Sequence, residues 1–330
     1  MIIITQINIL GWFNYFVLNI YFNNSTIGDF VMPSTKASVK KIKKQKADLA
    51  VIKPVKTKPY NDIDLNNWKL YENIKTGTWW EFASRDKSRG HSYDYHGNYI
   101  PQIATQLFER YTKKNDIVLD LFFGSGTSGI EAKNMQRRCI GVELKQEMVD
   151  YVSSKFNPKE LVVDVNIIQG DSASVEAKEK VQARLEIMGE KHAQFLVLHP
   201  PYDDIIKFSD KKEDLSNCAT TEEFYDLFKK VAKNGYDLLE QNRFAALIIG
   251  DKYANSRYIS LGFECQRRME ELGFVTKAVI VKNITGNEKA KGKTANLWRY
   301  RALSGGFNIF EHEYIMIFQK TKLKKVKNDK

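Results

Sequence analysis

Residues 116–123, "DIVLDLFF", form an apolar run that stops at Gly124-Ser125-Gly126-Thr127 and is followed by a helix-forming stretch to about Met135. A strand that turns on glycines directly into a helix is the opening unit of a parallel α/β sheet. The rest of the chain repeats the alternation. Strands are expected at 137–144, 165–171, 193–202, 243–253, 274–284 and 311–320, and helices at 145–156, 173–190, 221–240 and 259–272. The last two strands follow one another without a helix, joined by the loop 285–310, so they should close the sheet as an antiparallel hairpin. The expected fold class is therefore α/β, a doubly wound Rossmann-like sheet, mostly parallel, with an antiparallel C-terminal strand.

Ahead of the sheet the composition changes. Residues 1–31 are apolar and aromatic, without a basic leader or a small-residue cleavage site, which argues against a signal peptide. Their length alone would permit a membrane span. Met32 opens a plausible soluble start, "MPSTKASVKK", so 1–31 is expected to be an extension foreign to the native protein. Residues 32–66 read as a disordered lysine-rich arm, the core domain as 67–320, and 321–330 as a basic tail. Lys36 to Lys58 holds nine lysines against one acid, and Lys320 to Lys330 six against one, so most of the net charge of +11 sits in two flanking segments. Such runs add salt-sensitive attraction to phosphate backbones, or serve solubility alone. Three scattered cysteines fit neither a disulfide framework nor a paired-cysteine metal site, and no metal is expected. The expected location is cytoplasmic, associated with DNA, with no membrane partner.

The glycine turn reads G-x-G-x-x-G (Gly124, Gly126, Gly129), which alone would suit a dinucleotide enzyme. It lacks the Gly-Lys-Ser/Thr of a phosphate loop. Glu143, seventeen residues beyond Gly126, stands at the tip of the next strand, where a carboxylate can accept from both hydroxyls of a ribose. Asp171 follows the third strand; it also suits a helix N-cap in "GDSAS". The run "FLVLHPPYDD" (195–204) ends a buried strand in His199, Pro200, Pro201 and Tyr202. Prolines cannot continue a ladder, so an imidazole and a phenol are held at the sheet's carboxyl edge.

Together, "DLFFGSGT", Glu143, "QGDS" and "HPPY" resemble the S-adenosylmethionine-dependent amino-methyltransferases of DNA, over about residues 68–320. The resemblance implies a methyl group transferred from S-adenosylmethionine to adenine N6 or cytosine N4 of a base flipped from duplex DNA. It assigns cofactor contacts to Asp120, to Phe123, Gly124, Ser125, Gly126 and Thr127, to Glu143 for the ribose, and to Asp171 for the adenine amine. It matches "HGNYIPQIATQLFERYT" (96–112), with Asn98 and Pro101, to a segment closing over the cofactor.

His199, Pro200, Pro201 and Tyr202 match the catalytic D/N/S-P-P-Y/F/W motif. Its first side chain and the following carbonyl accept the two amine hydrogens, and its aromatic ring stacks on the base. Histidine departs from the usual Asp, Asn or Ser. It leaves adenine and cytosine equally open, and it implies a rate that falls as pH drops through the imidazole pKa, about 6.5 if unperturbed.

Lys207 and Phe208 in "DDIIKFSD" should lie over the bound base. No sizeable target-recognition insertion is evident. The loop 285–310, with Trp298, Arg299 and Arg301, is the first candidate for that role, and "TWWEFASRDKSRGH" (78–91), with Arg85 and Arg89, the second. A solvated loop is the plain alternative. RNA and a protein glutamine amide are the alternative substrates, a non-catalytic relic a further one, and a cognate restriction endonuclease an implied partner.

Overall fold

The strands of the central sheet each feed two cores, one on either face. In β2 (Ile117–Asp120), Ile117 and Leu119 point to one side and Val118 to the other; in β5 (Ala193–Leu198), Leu196 and Leu198 oppose Phe195 and Val197. This period-two alternation of uniformly apolar side chains is what a sheet covered on both faces requires. The computed structural model describes residues 58–88, 90–91, 97–156, 163–284 and 295–321.

In chain order the remaining elements are β1 (Trp79–Trp80), α1 (Pro101–Tyr111), α2 (Thr127–Asn134), β3 (Arg138–Glu143), α3 (Gln146–Ser153), β4 (Val165–Gln169), α4 (Val175–Ile187), α5 (Thr221–Leu238), β6 (Leu239–Ile249), β7 (Lys252–Ala254), β8 (Arg257–Ile259), α6 (Leu261–Glu271), β9 (Phe274–Asn283), α7 (Ala295–Gly305) and β10 (His312–Lys320). The main sheet runs β1-β9-β10-β6-β5-β2-β3-β4, and β7 with β8 forms a separate ribbon. Only β10 is antiparallel to its neighbours β6 and β9; the pairs β2–β3, β3–β4, β2–β5, β5–β6 and β1–β9 are parallel. The doubly wound α/β sheet with an antiparallel last strand is the expected fold.

Helices α1, α2 and α3 cover one face through Ile103, Phe108, Ile130 and Val152. Helices α4, α5 and α6 cover the other through Leu185, Phe224, Phe228 and Met269. Burying a side chain of this size contributes about 1.5–3 kcal/mol, so both layers hold the sheet firmly while its carboxyl edge stays open.

Three expectations change. Residues 58–66 belong to the folded body instead of the arm: the Asn61 amide donates to the Arg110 carbonyl at 2.9 Å, and the Tyr60 ring meets Phe244 edge-on at 4.9 Å. Lysine density ends at Lys58, and aromatic and amide anchors take over. Trp80, assigned to a nucleic-acid segment, is 1% exposed and packs into the core from the short edge strand β1. The loop 285–310 contains helix α7, whose stretch Ala295–Ser304 has no proline and which ends at Gly305, with Gly306 in the left-handed region at φ 67°. Residues 1–57, 285–294 and 322–330, with the expectations placed on them, lie outside the described residues.

Candidate active site

Strands β2 and β5 are parallel neighbours, with Asp120 opposite Val197. From them the chain proceeds in opposite directions, β3 and β4 to one side and β6 to the other. Their carboxyl ends therefore flank the switch point of the sheet, the place where such sheets open a crevice. A cavity of about 800 Å³ occupies it. Phe123, Gly124, Thr127, Glu143, Asp171 and Asn98 line it together with His199, Pro200, Pro201 and Tyr202. Two motifs more than seventy residues apart thus share one cleft.

On the glycine side the turn is built by hydrogen bonds to two buried carboxylates. Glu143 Oε2 accepts the Gly124 N–H and its Oε1 accepts the Lys145 N–H, each at 2.9 Å. Burial pushes the Glu143 carboxyl up, against those two N–H bonds. A carboxylate oxygen has two acceptor sites, so both retain one for a pair of vicinal hydroxyls. Asp171 lines the cavity and its Oδ1 accepts the Ala173 N–H at 2.9 Å. The cap of α4 is Ser174, whose Oγ accepts from the Ala177 N–H at 3.0 Å, so Asp171 is not the helix cap.

Asp120 differs from its expected role. Its Oδ1 accepts the Phe122 N–H at 2.9 Å and its Oδ2 the Ser128 hydroxyl at 2.5 Å, and it does not line the cavity. Burial raises its pKa to about 6. It braces the turn from behind. Ser125, Gly126 and Pro101 also stand off the cavity wall. Gly126, at φ 84°, is the residue from which α2 starts; a β-carbon there would lie 2.6 Å from Val152. Phe123 borders the cavity, but its ring is 3% exposed, and β-carbons at Gly129 and Gly141 would lie 2.7 and 2.3 Å from it. Asn98 Nδ2 is buried with no hydrogen-bond partner among the described residues. An orphaned amide donor in a cavity wall calls for an acceptor on a ligand.

On the proline side, His199 is half-buried between two phenol rings, edge-on to Tyr99 at 5.2 Å and to Tyr202 at 5.8 Å. Burial lowers its pKa to about 4; Glu313 opposes this, and Arg85 and Lys282 add to it. The imidazole is therefore neutral above about pH 5, well below the value of about 6.5 for an unperturbed ring. The Tyr202 hydroxyl donates to Glu313 Oε2 at 2.7 Å and lies 3.5 Å from His199 Nε2. Directly after it, Asp203 takes a left-handed φ of 54° while buried. Its Oδ2 receives Lys252 Nζ at 2.5 Å and the Thr221 hydroxyl at 2.7 Å. These contacts hold the corner in a conformation that L-residues rarely adopt.

The His199 shift has a consequence for stability. The folded pKa lies below the unfolded one, so the unfolded chain takes up a proton first as pH falls. Unfolding free energy should decline between pH 6.5 and about 4, by on the order of 3 kcal/mol at the limit. Urea melts of the protein and of His199→Gln across that range test this. The stability of the protein relative to the variant should fall by that amount toward pH 4; a constant difference would mean a solvated imidazole.

For the nucleic-acid candidates the picture is mixed. Phe208 lines the cavity, and Lys207 is exposed beside it. Trp298, Arg299 and Arg301 sit on α7, away from the cavity wall. The Arg301 guanidinium lies 5.3 Å from the Trp298 ring centre, and Tyr300 is exposed. Arg85 lines the cavity and donates to the Asn98 carbonyl at 3.0 Å, whereas Arg89 lies outside the described residues. Sequence reasoning missed Tyr99, Lys282 and Glu313. The last two are charged residues near the adjoining ends of two apolar strands, a signal that becomes legible only once the strands are paired. Among the described residues no cluster of His, Cys, Asp or Glu could hold a metal ion, and no helix is long and apolar enough to cross a membrane.

A family described as DNA methylase, of N6/N4 methyltransferases, matches residues 18–154, a span that includes the glycine turn and Glu143 and ends before His199. Among curated proteins, the type II methyltransferase M2.LlaDCHI of Lactococcus lactis subsp. cremoris is 35% identical over 18% of this chain and 24% of its own length. M.HinfI of Haemophilus influenzae is 44% identical over 14% and 12%, and M.Cfr9I of Citrobacter freundii 39% over 19% and 17%. The matches thus span less than a quarter of those relatives. The solved structure of TrmN from Thermus thermophilus overlays 68% of this chain and 50% of its own at 13% identity, with a TM-score of 0.43.

Proposed function

We propose that this chain, whose residues 18–154 match a family described as DNA methylase, transfers a methyl group from S-adenosylmethionine to an exocyclic amine of a DNA base rotated into the cavity. The observation that carries this reading is the single cleft shared by the glycine turn and the His-Pro-Pro-Tyr corner.

Glu143 would hold the ribose hydroxyls, Asp171 the adenine amine, and Asn98 the amino-acid end, each with a polar group already at the wall. Bound there, S-adenosylmethionine supplies a methyl group made electrophilic by its sulfonium. An amine whose lone pair is delocalised into a base ring is a poor nucleophile. The neutral His199 nitrogen accepts one amine hydrogen and the Pro200 carbonyl accepts the other, which frees the lone pair and aligns it. Pro200 and Pro201 fix that carbonyl by locking φ. Tyr202 supplies the ring against which the base stacks. Once alkylated, the amine is a strong acid, and His199 can take its proton even with a pKa of about 4.

Helix α7 supplies the phosphate contacts in this reading. Arg299 and Arg301 stand beside an exposed aromatic surface, the combination that positions a backbone and stacks bases. The double variant Arg299→Ala/Arg301→Ala should weaken duplex binding for every sequence. It should flatten the slope of log affinity against log salt by about 2. Fluorescence anisotropy at several salt concentrations reads both, and an unchanged slope removes α7 from the interface.

The activity is tested by offering tritiated S-adenosylmethionine with duplex DNA, structured RNA and protein extract in parallel. Label is expected in the duplex. Label confined to RNA or protein overturns the substrate, and label in none overturns the activity.

A further inference from the structure

Strands β9 and β10 bury a charge pair between them. Lys282 and Glu313 are direct cross-strand partners, 4% and 7% exposed, with Nζ 3.0 Å from Oε1. Withdrawing two ions from water costs several kcal/mol each, and well-packed apolar residues in their place are often equally stable. Stability therefore gives this pair no reason to exist. Its position does. Both residues line the cavity, and the second oxygen of Glu313 accepts the Tyr202 hydroxyl at 2.7 Å. Behind the ring stands Gly250, where a β-carbon would come within 2.8 Å of Tyr202 Cε2. The ring is thus gripped at its hydroxyl, packed close against bare backbone, and anchored through Pro201 at its own main chain.

We propose that Glu313 and Lys282 are positioning residues that fix the plane of Tyr202 before a base arrives. The inference rests on the reading of Tyr202 as the stacking platform. A phenol with two free torsions would have to be ordered in every turnover; a ring already clamped spares that cost. Lys282 keeps the clamp electrically balanced. The groups facing His199 are Arg85, Lys282, Glu313, Tyr99 and Tyr202, and Glu313 is the one anion among them. Without Lys282 its charge would favour the imidazolium, which cannot accept an amine hydrogen.

The test is single-turnover transfer of tritiated methyl to duplex DNA, with cofactor affinity measured by calorimetry on the same proteins. Tyr202→Phe and Glu313→Ala should each slow transfer by roughly tenfold, and the double variant should be no slower than the slower single variant, because both substitutions remove the same Tyr202–Glu313 bond. Glu313→Gln keeps an acceptor for the hydroxyl and should restore most of the rate. Cofactor affinity should stay within about threefold throughout. A role in stability alone would not give this pattern.

Glu313→Ala leaves a buried lysine unpaired; if it fails to fold, Tyr202→Phe, which leaves the ion pair intact, carries the test. Tyr202→Phe at the wild-type rate, or losses that multiply in the double variant, overturns the proposal. Tyr202→Ala separates the two levels. A slow Tyr202→Ala beside a normal Tyr202→Phe leaves the platform standing without the clamp, and a normal Tyr202→Ala removes the platform as well.

Discussion

Replacing His199 with alanine is expected to slow single-turnover methyl transfer at least 100-fold while cofactor affinity stays within about threefold. The side chain lies on the wall where a base amine would be presented, not beside Glu143 or Asp171, so binding and transfer should separate cleanly. Alanine removes the one side-chain acceptor that draws the amine's hydrogen out of conjugation, and a misplacement of about 1 Å in a near-attack geometry already costs about 100-fold. Asparagine should recover much of the rate, because its carbonyl accepts one hydrogen bond as the neutral imidazole does. The rate of the wild-type protein should be level from about pH 5 to 8 and fall only as pH approaches the lowered pKa near 4. A rate loss of less than threefold in the alanine variant would remove His199 from the reaction.

The second large effect is expected at the other wall. Glu143→Ala should weaken S-adenosylmethionine binding about 100-fold. A charged hydrogen bond is worth about 1.5–3 kcal/mol, and tenfold in affinity is about 1.4 kcal/mol. The variant loses the acceptor for two ribose hydroxyls and also strands the N–H groups of Gly124 and Lys145 that now bind its oxygens. Cofactor site and turn should therefore loosen together. Glu143→Gln should fall between, since its amide places a donor against one of those N–H groups. Calorimetric titration with the cofactor measures this directly, and an unchanged Kd in Glu143→Ala would assign the carboxylate to the turn alone.

Much of this architecture was legible because it is local. A run such as "DIVLDLFF" ending on glycines shows its strand and its turn in consecutive residues, and the two prolines mark where β5 stops, at Leu198 in the structure and short of the expected 202. Depth and pairing were not. Asp120 sits at a strand end beside the cavity, yet its side chain turns inward to Ser128 and Phe122, and no sequence pattern says which way the last residue of a strand will face. The His199 environment depends on Arg85 and Lys282, contributed from more than eighty residues away on either side. Glu313 and Lys282 meet through the register of β9 with β10, a contact across the whole 285–310 connection. Trp79 and Trp80 stand side by side in the 78–91 candidate segment, and the two-residue strand β1 sends one to solvent and the other into the core.

The most direct measurement digests duplex DNA treated with the protein and trideuteromethyl S-adenosylmethionine, then identifies the labelled nucleoside by mass spectrometry. One methyl carbon must pass from a sulfonium on the Gly124 side of a common crevice to an amine nitrogen on the Tyr202 side. Deuterated N6-methyladenine or N4-methylcytosine is the expected product, absent with His199→Ala. Label on a ring carbon, or DNA left unmodified by a folded, cofactor-binding protein, would contradict it.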